Sequence, residues 1–255
     1  MSEPVLPPAP LPFDLIFDDG NPLETAWHSL ELPLLRNVVR QAMAEQGRTD
    51  FYIGINMFLY YSVEQARDVA EEEKGGRPCL AYRGPDFYWV GGVDPSRNRP
   101  GWVAWEEGGR LPNVILELLS PFTAHKDRTE RKDLYEQVLR TDEYFMYEPE
   151  TRRLEGLRLA PSSFYRPIPP DEQGRLWSEQ VKVSFGLWHG VADGKEGDWV
   201  RLFRPDGSLV PTKDEASDQR ANAERLRADA ERLRADAADA EVARLRALLE
   251  KRDGA

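Results

Sequence analysis

Asn113-Val114-Ile115-Leu116-Glu117-Leu118-Leu119-Ser120-Pro121 is the stretch from which the fold of this chain is read. Aliphatic residues flank a single carboxylate, and a Ser-Pro pair closes the run. A short aliphatic run bounded by turn residues predicts a strand buried on both faces. An ionised Glu inside such a strand is costly unless it meets a cation, a metal or a strong hydrogen-bond donor. Upstream, Pro85-Asp86-Phe87-Tyr88-Trp89-Val90 opens with a second carboxylate and predicts another strand within residues 84–93. Downstream, residues 123–139 predict a helix. Leu134, Val138 and Leu139 form its apolar side, and Lys126, Arg128, Arg131 and Lys132 lie on or near its first half.

The flanking segments extend this pattern. Residues 1–24 read as an extended arm, rich in Pro and interrupted by Asp18-Asp19-Gly20. Leu30, Leu34, Leu35, Val38, Val39 and Met43 recur at helical spacing and predict a helix over 27–46. Pro33, tolerated in a first turn, moves its expected start to near Leu32. Residues 49–61 predict a strand, with Gly54 as a bulge, and 64–76 a loop or short helix. Short strands are expected at 102–105, 143–147, 154–159, near Phe164 and at 181–188. The order does not alternate regularly between strand and helix. It predicts an α/β (α+β) architecture, a mixed sheet with helices packed on it.

The totals fit one globular domain over residues 25–210 and a separate tail over 211–255. The chain has 255 residues, of which 40 % are hydrophobic and 31 % charged. No apolar run reaches membrane-spanning length, and the Pro-rich start lacks the basic residues of a signal peptide. One cysteine, Cys79, excludes an internal disulfide and a Cys-rich zinc site and fits a reducing cytoplasm. The formal net charge of -11 argues against a module that collects nucleic acid through its overall field. In the tail, Ala-Glu-Arg-Leu-Arg-Ala-Asp occurs at 223–229 and again at 230–236. Leu226, Ala230, Leu233 and Ala237 keep a 4-3-4 spacing that predicts a long helix suited to a coiled coil, hence a homodimer.

Two strand carboxylates and a nearby cation suit metal-assisted phosphodiester hydrolysis. Acidic oxygens hold a divalent ion that activates water, and Mg2+ binds few carboxylates while keeping several waters. Asp86 and Glu117 supply the acids, and Lys132 the cation that orients water or stabilises charge. Plainer roles suit the same residues. Asp86 after Pro85 can cap a turn, Glu117 can form a structural ion pair with Arg128 or Lys132, and Lys132 can belong to a solvated helix face. His28 and His125 lie near these elements, but no metal-ligand spacing joins them. Each reads as a surface or helix-start residue.

The combination of Gly84-Pro85-Asp86-Phe87, Val114 to Thr123, Asp127, Lys132, Tyr135, Glu143-Tyr144-Phe145 and Tyr147-Glu148-Pro149 resembles the Uma-type family of restriction endonucleases, within the PD-(D/E)XK nuclease superfamily. The resemblance spans about residues 27–188. It implies a restriction-endonuclease-like core, Mg2+ (or Mn2+) as cofactor, DNA as substrate, and Asp86 and Glu117 as metal ligands. The superfamily's lysine stands two residues after the second acid, where this chain has Leu119. The resemblance therefore implies a displaced lysine, with Lys132 first and Lys126 second. Asp127 would add a polar contact, and the early-helix acid would be Glu31, or Glu24 if the helix starts sooner. A catalytically degenerate scaffold that oligomerises through its tail is the competing expectation.

Overall fold

The computed structural model describes residues 11–17, 26–75, 84–121 and 123–253. Most of the expected N-terminal arm, Glu24 included, and Cys79 lie outside them. Contacts divide the chain into two compact units, Met1–Val210 and Pro211–Ala255. Among the described residues no helix is long and apolar enough to cross a membrane.

In the first unit, α1 spans Ala26–Glu45 and buries Leu32, Leu35, Val38, Val39 and Met43. The helix starts well before Leu32, so Pro33 lies inside it. An interior proline costs roughly 3 kcal/mol. Each fully buried Leu, Val or Met offsets about 1.5–3 kcal/mol, and Pro33 itself is exposed, away from that face. Gly47, at φ 68°, closes the helix.

The expected strand over 49–61 is divided. It forms β1 (Phe51–Ile55) and β2 (Leu59–Tyr60), separated where Asn56 turns left-handed at φ 44°. Gly54 is not a bulge. It pairs in unbroken register with Tyr88, and a β-carbon at Gly54 would stand 2.1 Å from Tyr88 Cζ. The charged segment that follows is a helix, α2 (Val63–Gly75).

The remaining strands are β3 (Phe87–Gly91), β4 (Trp102–Val103), β5 (Val114–Leu118), β6 (Glu143–Glu148), β7 (Arg153–Leu159), β8 (Tyr165–Pro167), β9 (Leu176–Trp177), β10 (Ser184–Ala192) and β11 (Lys195–Phe203). A six-stranded sheet runs β1-β3-β5-β6-β7-β8. Its one parallel pair is β5–β6; its other neighbours are antiparallel. The parallel pair needs a crossover, and α3 supplies it. This segment begins as an α-turn at Ala124–Lys126 and widens into π turns at Asp127–Arg131 and Leu134–Val138. Strand β11 was not anticipated. It pairs with β10 along nine residue positions, closed by Asp193-Gly194, both with positive φ, a hairpin turn signature legible in the sequence.

Alternation along β5 sorts its side chains. Val114, Leu116 and Leu118 join α1 and the β10–β11 hairpin in one core. Ile115 and Leu119 join Tyr88, Tyr135 and Tyr144 in another. Glu117 lies between Ile115 and Leu119 in this alternation, and it meets side chains of the α3 segment. In the second unit, α4 (Lys213–Asp253) opens with a reciprocal cap. Thr212 N donates to Glu215 Oε2 at 2.7 Å, and Glu215 N donates to Thr212 Oγ1 at 3.2 Å.

Candidate active site

Antiparallel pairing sets Phe87 opposite Leu116, so Asp86 falls beside Glu117. The two acids are braced through the backbone. Leu118 N donates to Asp86 Oδ2 at 2.7 Å, and Asp86 N donates to Glu117 Oε2 at 3.1 Å. The other oxygen of Glu117 faces the helical crossover. Tyr135 donates its hydroxyl to Glu117 Oε1 at 2.5 Å, and Arg131 Nη1 stands 3.2 Å from the same atom. Arg131 also reaches Asp127 Oδ1 at 2.8 Å. Spacing along the helix explains the grouping, since residues four apart share a face.

Burial and charge make this a high-energy arrangement. Glu117 is fully buried, and burial pushes its carboxyl well above the usual carboxylate range. Arg131 opposes that shift, Asp86 and Asp127 add to it, and the Tyr135 hydrogen bond opposes it. The Arg131 guanidinium is held above its ordinary value, chiefly by Glu117. Of the three carboxylates only Asp86 reaches solvent, with a side chain 17 % exposed, beside the partly exposed Arg131.

The structure brings Asp86, Glu117 and Asp127 into one cluster and leaves Lys132 out of it. Lys132 Nζ lies 3.6 Å from Glu136 Oε2 and 3.5 Å from Asp133 Oδ1, and it faces the Tyr165 ring. One residue of advance turns a side chain roughly a quarter turn round a helix. Arg131 therefore faces the acids and Lys132 does not. Arg128 is paired with Glu148 and Glu155, so neither Arg128 nor Lys132 is the ion-pair partner of Glu117. Lys126 is half-buried and makes no ion pair among the described residues. Leu119, two residues after Glu117, is buried in the same core as Ile115, Tyr135 and Tyr144.

Glu31 points into the protein. Its Oε2 accepts a hydrogen bond from Val200 N at 3.2 Å, while Oε1 has no hydrogen-bond partner among the described residues. Burial raises its pKa to about 8, against the opposing Val200 hydrogen bond and the Arg201 charge. One turn earlier on α1, His28 brings Nε2 to 3.4 Å from Asp86 Oδ2. His28 is buried in the first turn of α1, so of its two expected places it takes the helix-start one and not the surface one. A helix start beyond it had concealed this position, and the His28-x-x-Glu31 spacing was the available signal.

Among the described residues, no three His, Cys, Asp or Glu side chains are disposed to hold a metal together. What the site offers is two carboxylates, Glu117 on β5 and Asp86 just before the neighbouring β3, the second of them partly open to solvent. That oxygen donor set fits a hydrated hard cation such as Mg2+ rather than an enclosed cage or a soft metal. A cation at this point would also relieve the cost of ionising Glu117.

Residues 28–192, well over half of the chain, match the family model Uma2, described as "Putative restriction endonuclease". No curated protein matches. Among solved structures, the chain is similar to the crystal structure of "a putative nuclease belonging to DUF820" from Anabaena variabilis, at 12 % identity and a TM-score of 0.41, covering 63 % of this chain and 76 % of that one.

Proposed function

The chain belongs to the Uma2 restriction-endonuclease family, and from that premise we propose a cytoplasmic, Mg2+- or Mn2+-dependent endonuclease that hydrolyses phosphodiester bonds in DNA. The supporting observation is the Asp86–Glu117 pair, cross-braced by Leu118 N at 2.7 Å and Asp86 N at 3.1 Å, with Arg131 at 3.2 Å from Glu117. Asp86 and Glu117 would hold the ion. When bound, it would engage the scissile phosphate and lower the pKa of an attacking water.

The protein's own groups supply the rest. Leu118 N and Asp86 N fix the two carboxyl groups before any ligand arrives. Tyr135 fixes the inner oxygen of Glu117. Arg131 takes the role that sequence reasoning gave to Lys132, stabilising negative charge that develops on the phosphate. Asp127 orients Arg131, and His28 orients Asp86. Glu31 anchors α1 to β11 behind the site. A homodimer, formed through the globular unit and α4, would present two such sites to the two strands of a duplex.

Calorimetric titration of the full chain with Mg2+ and with Mn2+ tests the proposal. Saturable heat that disappears in Asp86→Asn and Glu117→Gln supports it, and equal behaviour of wild type and variants refutes it. A second reading, a catalytically degenerate scaffold, is favoured by Leu119 and by the Arg131 guanidinium already neutralising Glu117. It predicts a folded protein without metal heat.

A further inference from the structure

We propose that α4 pairs with α4 of a second copy of this chain, side by side, parallel and in register. This rests on the homodimer reading above and adds to it the pairing surface and its direction.

The observation is an apolar seam on a helix whose described residues are otherwise almost all exposed. α4 is 41 residues long, about 60 Å at 1.5 Å per residue. Leu226 is 63 % exposed and Leu233 is 70 % exposed. They are seven residues apart, and Ala223, Ala230 and Ala237 fall between and beside them at the alternate positions of the same stripe. A seven-residue period keeps one narrow seam facing a partner helix, with alternate layers here of alanine and leucine. A solitary helix in water gains nothing from holding leucine at a strict seven-residue interval. Exposed leucine on a long charged helix is relieved when a second helix covers it.

The flanking charges identify the partner as a second copy and set its direction. With Ala230 and Leu233 in the seam, the residues bordering it are Asp229 on one side and Arg234 on the other. In a parallel, in-register pair, Asp229 of one helix lies against Arg234 of its mate, and the contact occurs twice by symmetry. In an antiparallel pair centred on the same leucines, Arg lies against Arg and Asp against Asp, which repels. Alanine layers bring the two helices close but bury little area, so the pairing is weak and concentration-dependent. In sequence, Val242, Leu245 and Leu249 resume the apolar spacing in a shifted register.

Light scattering on the full chain over a concentration series should give a mass rising toward twice 29.2 kDa. Leu226→Asp with Leu233→Asp should remain at the single-chain mass. A wild-type mass fixed at one chain overturns both the pairing and its direction, and a double variant that associates as well as wild type overturns the seam. Direction is read separately in a Cys79→Ser background under mild oxidation. Ala223→Cys alone and Ala237→Cys alone should each give a disulfide-linked dimer. Linkage only when the two variants are mixed would leave the dimer standing and overturn the parallel assignment. Neither measurement involves DNA or metal, so neither outcome depends on the nuclease reading.

Discussion

Arg131 Nη1 stands 3.2 Å from Glu117 Oε1, while the next residue, Lys132, turns its ammonium toward Glu136 at 3.6 Å. Adjacent cations on one helix thus have different environments, and substitution separates them. Arg131→Ala should lower kcat by about 10²–10³-fold, the usual cost of removing one preorganised group that stabilises developing charge. It should also destabilise the fold, by up to about 3–5 kcal/mol, because Glu117 and Asp127 are left buried without their cation. Arg131→Lys should recover part of both. Lys132→Ala should cleave like wild type. Steady-state kinetics beside denaturant unfolding checks this, and an inactive Lys132→Ala with an active Arg131→Ala would reverse the assignment.

Asp86→Asn should separate charge from structure. The amide oxygen can still accept from Leu118 N, a bond of 2.7 Å in the wild type, so the strand ends stay braced. The negative charge is lost. We expect a melting temperature close to wild type with no metal-induced thermal shift, checked by thermal unfolding with and without Mn2+. A metal shift of wild-type size in this variant would place the ion elsewhere.

Glu31 couples stability to pH. Its pKa is raised by burial to about 8 in the folded state, against an ordinary value of 4.5. The folded chain therefore binds this proton more tightly than the unfolded chain does. The contribution is fully present below pH 4.5 and is lost as pH rises through about 8, at roughly 1.4 kcal/mol per pH unit between those limits. Glu31→Gln stays neutral at every pH, so the difference in unfolding free energy between variant and wild type should grow in the variant's favour from pH 5 toward about pH 8, reaching roughly a few kcal/mol. Parallel stability curves would contradict this.

Gly54→Ala should strain the β1–β3 pair. The new β-carbon would lie 2.1 Å from Tyr88 Cζ, and Tyr88 is buried in the core beneath α3. Such overpacking costs about 1–3 kcal/mol. Urea unfolding should show a lower midpoint with an unchanged slope, and Gly54→Ala combined with Tyr88→Leu should recover part of the loss.

Much of the architecture was legible because period and punctuation are strong in this chain. The run around Glu117 predicted β5, the Leu/Val stripe predicted α1, and the Ala/Leu repeat predicted α4. The misreadings have local physical causes. Pro33 suggested a late helix start because its cost is visible in sequence while the packing that offsets it is not. Asn56 broke an aromatic run that reads as one strand, since a single left-handed residue leaves no periodic trace. β11 has a sequence marker only in Asp193-Gly194, the turn of its hairpin with β10. In the site, Asp86 and Glu117 could be named because carboxylates at strand positions are conspicuous. The choice between Arg131 and Lys132 depends on which face of the helix meets the sheet. The π turns at Asp127–Arg131 and Leu134–Val138 shift that face in a way no 3.6-residue pattern reports.

The central claim is that Asp86, Glu117 and Arg131 form one hydrolytic site that works with a divalent ion. Incubating the full chain with supercoiled plasmid and with linear duplex DNA, in Mg2+, in Mn2+ and in EDTA, tests it most directly. The account predicts nicked or linear products with either ion, none in EDTA, none from folded Asp86→Asn or Glu117→Gln, and cleavage about 10²–10³-fold slower from Arg131→Ala. Cleavage by the three variants at the wild-type rate, or intact DNA from wild type under every metal condition, would contradict it.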